Sequence, residues 1–300
     1  MILSHFRTKY SMKKIYCLFI AALLITFCQA QKEKLELNLA KGETYTLNIS
    51  SKSTMDMTKN GKQLKLKDDS FVILKFKVTD IQDSVYNMVA TIDSIYFNGN
   101  VFNMAMGFFP NRDGKVPNDN ENLFFKRFIA AMKGIPILIK MTRKGKLSEV
   151  NKILVDSSRI QVISNLFVQG VLKMIPEIYP VSNVAIGGKW TILSPLPSSV
   201  FTTTGATFEL KEVTNNYMLI SGYSVLKIND NVIAQKGKSA VKSDLTNTMS
   251  SNIKVDKKTG WIIDAKISQI IKGTVKADPK KEGDKDYPIN INTETIITDK

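Results

Sequence analysis

The chain has 300 residues, is 43% hydrophobic and 23% charged, and carries 42 basic against 27 acidic residues for a formal net charge of +15. Its one histidine, His5, and its two cysteines, Cys17 and Cys28, all precede Ala30, so the sequence beyond that point holds no imidazole base, no thiolate nucleophile and none of the ordinary zinc or copper ligands. Disulfide stapling is excluded with them, and stability must come from burying a core.

Taken in order, Met12–Gln31 reads as a secretory signal. Lys13 and Lys14 give a charged start, Ile15–Phe27 an apolar run, and Cys28-Gln29-Ala30 small residues around a cut after Ala30. Residues 1–11 add nothing such a signal needs, which leaves Met1 and Met12 both as candidate starts. Acylation of Cys28 would need a small residue before it, and Phe27 is large. No later stretch approaches about 18 consecutive apolar residues, so no transmembrane segment is expected once the signal is removed. The expected division is a leader over 1–30 and a single β-rich domain over 31–300. Removing the leader's Arg7, Lys9, Lys13 and Lys14 takes the charge from +15 to +11, almost all of it lysine. Base reading and phosphate clamping favour arginine, so nucleic acid is not an expected partner. The lysines fit a solvated surface or attraction to an anionic envelope surface.

Beyond the leader the dominant period is two. Tyr45, Leu47 and Ile49, then Ser51 and Ser53, then Met55 and Met57 alternate with Thr44, Thr46, Asn48, Ser50, Lys52, Thr54, Asp56 and Thr58, which predicts one long half-buried strand. Asn60-Gly61 turns it. Strands are expected at Phe71–Val78 and Tyr86–Phe97. A helix is expected from Asp119 or Asn120 to Gly134-Ile135-Pro136, and a second from Asp156 to Pro176 carrying Ile160, Ile163, Phe167, Val171 and Met174. Between them lies a hairpin, Ile137–Thr142 and Leu147–Val150. Further strands are expected at Val200–Glu212, Tyr217–Ile228, Ser239–Val255, Trp261–Gly273 and Ile289–Thr298.

A weak repeat runs through these strands. Phe76-Lys77-Val78-Thr79-Asp80-Ile81 resembles Phe208-Glu209-Leu210-Lys211-Glu212-Val213, and Ile139–Gly145 resembles Ile253–Gly260. The expected fold class is mainly β: a long, curved antiparallel sheet or half-barrel covered on its concave face by the two helices.

Leu37-Asn38-Leu39-Ala40-Lys41-Gly42-Glu43-Thr44-Tyr45, the Phe76–Tyr86 hairpin, Ile178-Tyr179-Pro180-Val181 and Ile186-Gly187-Gly188-Lys189-Trp190 together resemble an uncharacterised family of secreted or lipid-anchored proteins of Bacteroidetes-type bacteria. The family's usual Gly-Asp-x-Trp reads Gly187-Gly188-Lys189-Trp190 here. The resemblance implies export to the periplasm, outer envelope or exterior of a Gram-negative cell, and brings no catalytic residues. More remotely, the architecture is similar to the half-barrels of periplasmic lipoprotein carriers.

Enzyme motifs are sparse, and no enzymatic activity is expected. Gly222-Tyr223-Ser224-Val225-Leu226 lacks the closing glycine of a nucleophile elbow and any histidine to activate Ser224. Gly187-Gly188-Lys189 lacks a phosphate loop's spacing. The acid pairs Asp68/Asp69, Asp80/Asp83 and Glu209/Glu212 fall in turns or on wet strand faces. Asn111–Gly114 and Asn118–Glu121 offer oxygen ligands but no calcium-loop spacing, so neither a metal nor another cofactor is expected. The least ordinary stretch is Val101–Phe109 with the phenylalanines beyond it. Met104, Met106, Phe108, Phe109, Phe124, Phe128 and Phe167 are the candidate residues for holding an apolar or lipid-like ligand between sheet and helices. The alternative is a ligand-free structural or interaction module of the envelope. A monomer is expected.

Overall fold

The computed structural model describes residues 32–59, 61–99, 130, 132–150, 172, 175–194, 204–232, 241–276 and 285–300. Eleven strands follow in order: β1 (Thr44–Lys59), β2 (Lys62–Gln82), β3 (Val85–Gly99), β4 (Ile137–Thr142), β5 (Leu147–Val150), β6 (Lys189–Ser194), β7 (Thr204–Val213), β8 (Tyr217–Val232), β9 (Val241–Asp256), β10 (Ile262–Val275) and β11 (Tyr287–Thr298). They form one sheet of order β5-β4-β3-β2-β1-β11-β10-β9-β8-β7-β6. Every neighbouring pair is antiparallel. Two meanders thus grow outward from a central β1–β11 seam, and β5 and β6 are the edges.

The expectation of a helix-covered half-barrel is corrected. Among the described residues every named element is a strand of a single open sheet; helical backbone is confined to Ala130, Met132 and Leu172, and no helix is formed over the sheet. The stretches 119–134 and 156–176 fall almost wholly outside the described residues, and of them Met132 and Leu172 are buried in the core. The physical reason is that the sheet curls and buries its apolar face on itself. The turn joining β4 to β5 and the turn joining β9 to β10 lie six strands apart, roughly 29 Å on a flat sheet at about 4.8 Å per strand. Yet consecutive residues of one strap bond to both, the Leu37 amide to the Arg143 carbonyl and the Asn38 amide to the Thr259 carbonyl.

That strap also holds the core. Leu35, Leu37 and Leu39 are all buried, and the Tyr86 hydroxyl accepts from the Leu39 amide while donating to the Leu37 carbonyl. At its start Glu33 and Val184 exchange backbone bonds, which ties the strap to the segment entering β6. One hydrophobic cluster results, drawing Leu47 and Ile49 from β1, Phe76 and Val78 from β2, Ile139 and Met141 from β4, Leu210 and Ile220 from β7 and β8, and Val255 and Ala265 from β9 and β10.

The repeat seen in the sequence is present in the backbone register. Phe76 pairs with Ala90 and Val78 with Met88, then β2 bulges at Thr79. Phe208 pairs with Gly222 and Leu210 with Ile220, then β7 bulges at Lys211. The Gly42 amide bonds to the Val78 carbonyl and the Val78 amide to Glu43; the Gly187 amide bonds to the Leu210 carbonyl and the Leu210 amide to Gly188. The Arg143 amide reaches Ser84 as the Lys257 amide reaches Asn216. A third bulge recurs at Ser148 and Ile263. Strands β1–β5 and β6–β10 are therefore two copies of one meander, and β11 is the strand inserted between them.

Candidate functional site

Alternation puts Leu47 and Ile49 on the inner face of β1, and the register carries that face across the sheet. At the level of Ile49 it is apolar throughout, through Val72, Ile297, Ala265, Ile253 and Ile220. One step outward it changes character. Ser51 lies between Ser70 and Thr295, Ser53 between Asp68 and Thr293, and Gln269 beside Thr293. These hydroxyls bond laterally, Ser51 to Thr295 and Ser53 to Thr293 at 3.0 Å each, while the Gln269 amide donates to Asn247 at 3.1 Å. The Ser251 hydroxyl, on the same face beside Gly222, is buried without a hydrogen-bond partner.

Beyond this polar belt the face turns apolar again. Met55 lies between Leu66 and Ile291, Met57 between Leu64 and Ile289, and Ile271 beside Ile291. Leu66 is buried and Leu64 exposed, while Met55, Met57, Ile271, Ile289 and Ile291 are half-buried. A groove of about 200 Å³ at this end of the sheet is lined by Asp56, Thr58, Gln63, Pro288 and Asn290, which alternate onto the opposite face, together with Met57 and Ile289. The molecule therefore has two apolar regions on one face, a closed one at the strap and an open one at the far strand ends, with the hydroxyl belt between them.

The closed region is tightly filled by the described residues. Its apolar cavity, lined by Leu37, Leu47, Met141, Ile175, Tyr179 and Trp261, measures about 20 Å³, the space of roughly one water. Tyr179 donates a hydrogen bond to the Gly260 carbonyl, and burial pushes its hydroxyl pKa above the ordinary range. Trp261 donates to the Thr46 carbonyl and packs edge-on against Phe76 at 5.5 Å. Because β11 stops opposite Asn48, the indole takes the place of the missing strand neighbour.

The seven candidate ligand residues, Met104, Met106, Phe108, Phe109, Phe124, Phe128 and Phe167, lie outside the described residues, as do the oxygen-rich stretches at 111–114 and 118–121. The acid pairs do not converge. Asp68 and Asp69 alternate onto opposite faces. Asp80 is held below the usual carboxylate range by a hydrogen bond from Lys41, and Glu209 by one from Lys211; both are solvent-facing ion pairs. Ser224 sits on the inner face opposite Met249, and the sequence after His5 holds no histidine to activate it. Gly188 admits the chain past Val184, whose side chain would collide with any Cβ there. No cluster of three or more acidic, histidine or cysteine side chains occurs among the described residues. No helix among them is long and apolar enough to cross a membrane.

Sequence reading missed the open band because β2 was expected only from Phe71. Its signal was nonetheless present, since Leu64 and Leu66 alternate with Lys65 and Lys67 in phase with Met55 and Met57.

No curated protein matches the sequence. Among solved structures, lipovitellin, described for its lipid–protein interactions, aligns at 10% identity and a TM-score of 0.49, over 87% of this chain and 26% of its own. This chain thus spans about a quarter of that protein. An outer membrane channel from Pseudomonas putida F1 aligns at 9% identity and a TM-score of 0.18, covering 87% of this chain and 97% of the channel. Pseudomonas aeruginosa OccK2, solved with glucuronate, aligns at 6% and 0.20, covering 90% and 98%. Residues 161–262, which span β6 to β9 and the first residue of β10, match a family of unknown function, DUF6263.

Proposed function

We propose that this chain is an exported, non-enzymatic envelope protein that holds an apolar or lipid-like ligand on the open end of its inner sheet face. The observation that carries the reading is the band of Met55, Met57, Ile271, Ile289 and Ile291, half-buried and separated from the core by hydroxyl groups. A core residue gains by joining the core; along β1 and β11 this band is set apart from it by two successive hydroxyl residues, while Ile267 and Met249 are the apolar residues at the belt's levels on β10 and β9. A contiguous apolar surface outside the core is expensive to leave wet and is a common mark of a binding surface. Methionine suits such a place because its unbranched side chain adapts to varied apolar shapes. The signal-like segment Met12–Gln31 supports export, and the match to an uncharacterised family is compatible with it.

Native mass spectrometry of the exported chain, followed by organic extraction, tests this. We expect a stoichiometric apolar adduct that is lost in Met57→Asp and Ile289→Asp while circular dichroism stays unchanged. A clean apo mass that remains clean after challenge with lipid overturns the proposal. One observation favours a second reading as an interaction module. The edge strand β6 shows no partner on its outer side among the described residues and carries Leu193 exposed at 67%. Chemical crosslinking that recovers partners through β6 from the wild type, and not from Leu193→Lys, would favour it.

A further inference from the structure

Resting on the reading above, we infer that the ligand is a neutral amphiphile, an alcohol or glyceride ester, whose uncharged polar group lies against the hydroxyl belt while its hydrocarbon follows the methionine band. The argument is one of charge placement. The chain carries 42 basic residues, yet between the Ile49 and Met57 levels the lysines Lys52, Lys65, Lys67, Lys227 and Lys272 all alternate onto the opposite face. Among the described residues at those levels the inner face offers hydroxyls and amides from Ser51, Ser53, Thr293, Thr295, Gln269 and Asn247, and a carboxylate from Asp68. A buried carboxylate or phosphate is costly unless a cation pairs with it, and the lysines at these levels stand on the opposite face. A hydroxyl or ester needs one donor and one acceptor, which paired hydroxyls supply because each keeps a spare lone pair. The Ser251 hydroxyl, 6% exposed and without a partner, is a further donor aimed at the same face.

The test is displacement of the uncharged fluorophore N-phenyl-1-naphthylamine from the full exported chain by hexadecanol, monopalmitoylglycerol and palmitate at pH 8. The two neutral ligands are expected to bind at least about tenfold more tightly than palmitate. In the double variant Ser53→Ala/Thr293→Val that preference should fall by roughly five- to tenfold, the worth of a lost hydrogen bond or two, with fluorophore binding retained. Palmitate binding as tightly as the neutral ligands would overturn the inference and leave the apolar site standing. A preference unchanged in the double variant would remove the belt from recognition. Failure of the fluorophore and all three ligands to bind would overturn both this inference and the proposed function.

Discussion

The two meanders share one backbone plan and fill it differently. In the first, Phe76 packs edge-on against Trp261 at 5.5 Å, an indole brought in from the other meander, and Tyr45 lies 5.1 Å from the same ring. In the second, Phe208 stacks at 5.9 Å on Trp190, its own register neighbour. Phe76 sits on β2, near the central seam, and borrows a cover from the other meander; Phe208 sits on β7, next to the edge strand β6, and packs on its own meander. The difference teaches that bulge positions and turn bonds, which recur in both halves, define the repeat. Side-chain identity is fitted afterwards to each half's neighbours.

The sharpest way to break this comparison is to remove the two phenylalanines separately. Phe76→Ala is expected to destabilise by about 3–5 kcal/mol, and Phe208→Ala to fall at the lower end of that range because it lies near an edge. Urea denaturation read at constant m-value checks this, and equal costs would show that borrowing Trp261 adds nothing.

A smaller contrast concerns the paired turn glycines. Gly260 and Gly145 both adopt positive φ, +69° and +74°. A Cβ on Gly260 would strike the Glu36 carbonyl of the strap, whereas one on Gly145 would meet only the Tyr179 ring, at 3.0 Å. Both alanine variants carry about 1 kcal/mol of left-handed strain. Gly260→Ala should cost in total about 2 kcal/mol or more, and Gly145→Ala clearly less, as thermal melts would show. A third site contrasts Ala90 with Gly222. Gly222→Ala would press on Ser251 and on the Phe208 ring at 2.7 Å. Its cost, on the order of 1–3 kcal/mol for overpacking, should shrink in Gly222→Ala/Ser251→Gly.

The smallest expected effect is a pH dependence at the strap. Burial alone would raise the Glu36 pKa, but Lys34, Lys144 and Arg143 outweigh it and hold the carboxyl below its ordinary 4.5. A depressed folded pKa stabilises above 4.5, and the contribution is lost as pH falls through the folded value. The Tm advantage of wild type over Glu36→Gln should therefore be present at pH 7 and vanish near pH 2. An advantage that is constant with pH would mean the carboxylate's charge is irrelevant.

Much of the sheet was legible in the sequence. The alternation from Thr44 to Thr58, the Asn60-Gly61 turn and the Phe76–Ile81 and Phe208–Val213 echo all follow from local chemistry, because period and turn type are set by near neighbours. What stayed hidden was long-range. Nothing local says that β11 returns to pair with β1, or that Leu37 and Asn38 bridge two distant turns. The charges of Lys65, Lys67, Asp68 and Asp69 made the start of β2 look like loop, although they alternate faces on a strand that pairs along its full length. The helical cover was expected because a sheet with one apolar face needs a partner; among the described residues the strap and the curl of the sheet supply one.

The central seam has a consequence for how the chain reaches this state. Ser51 and Thr295, bonded across it, are 244 residues apart in sequence. High contact order slows folding, since loop-closure entropy must be met before such contacts reward it. During synthesis β1 presents an open edge until β11 emerges, and no second-half strand can take that place without leaving β11 unpaired. A chain with its closing strand so late keeps that edge unpaired for as long as translation lasts, and it is exposed to edge-to-edge aggregation over the same interval.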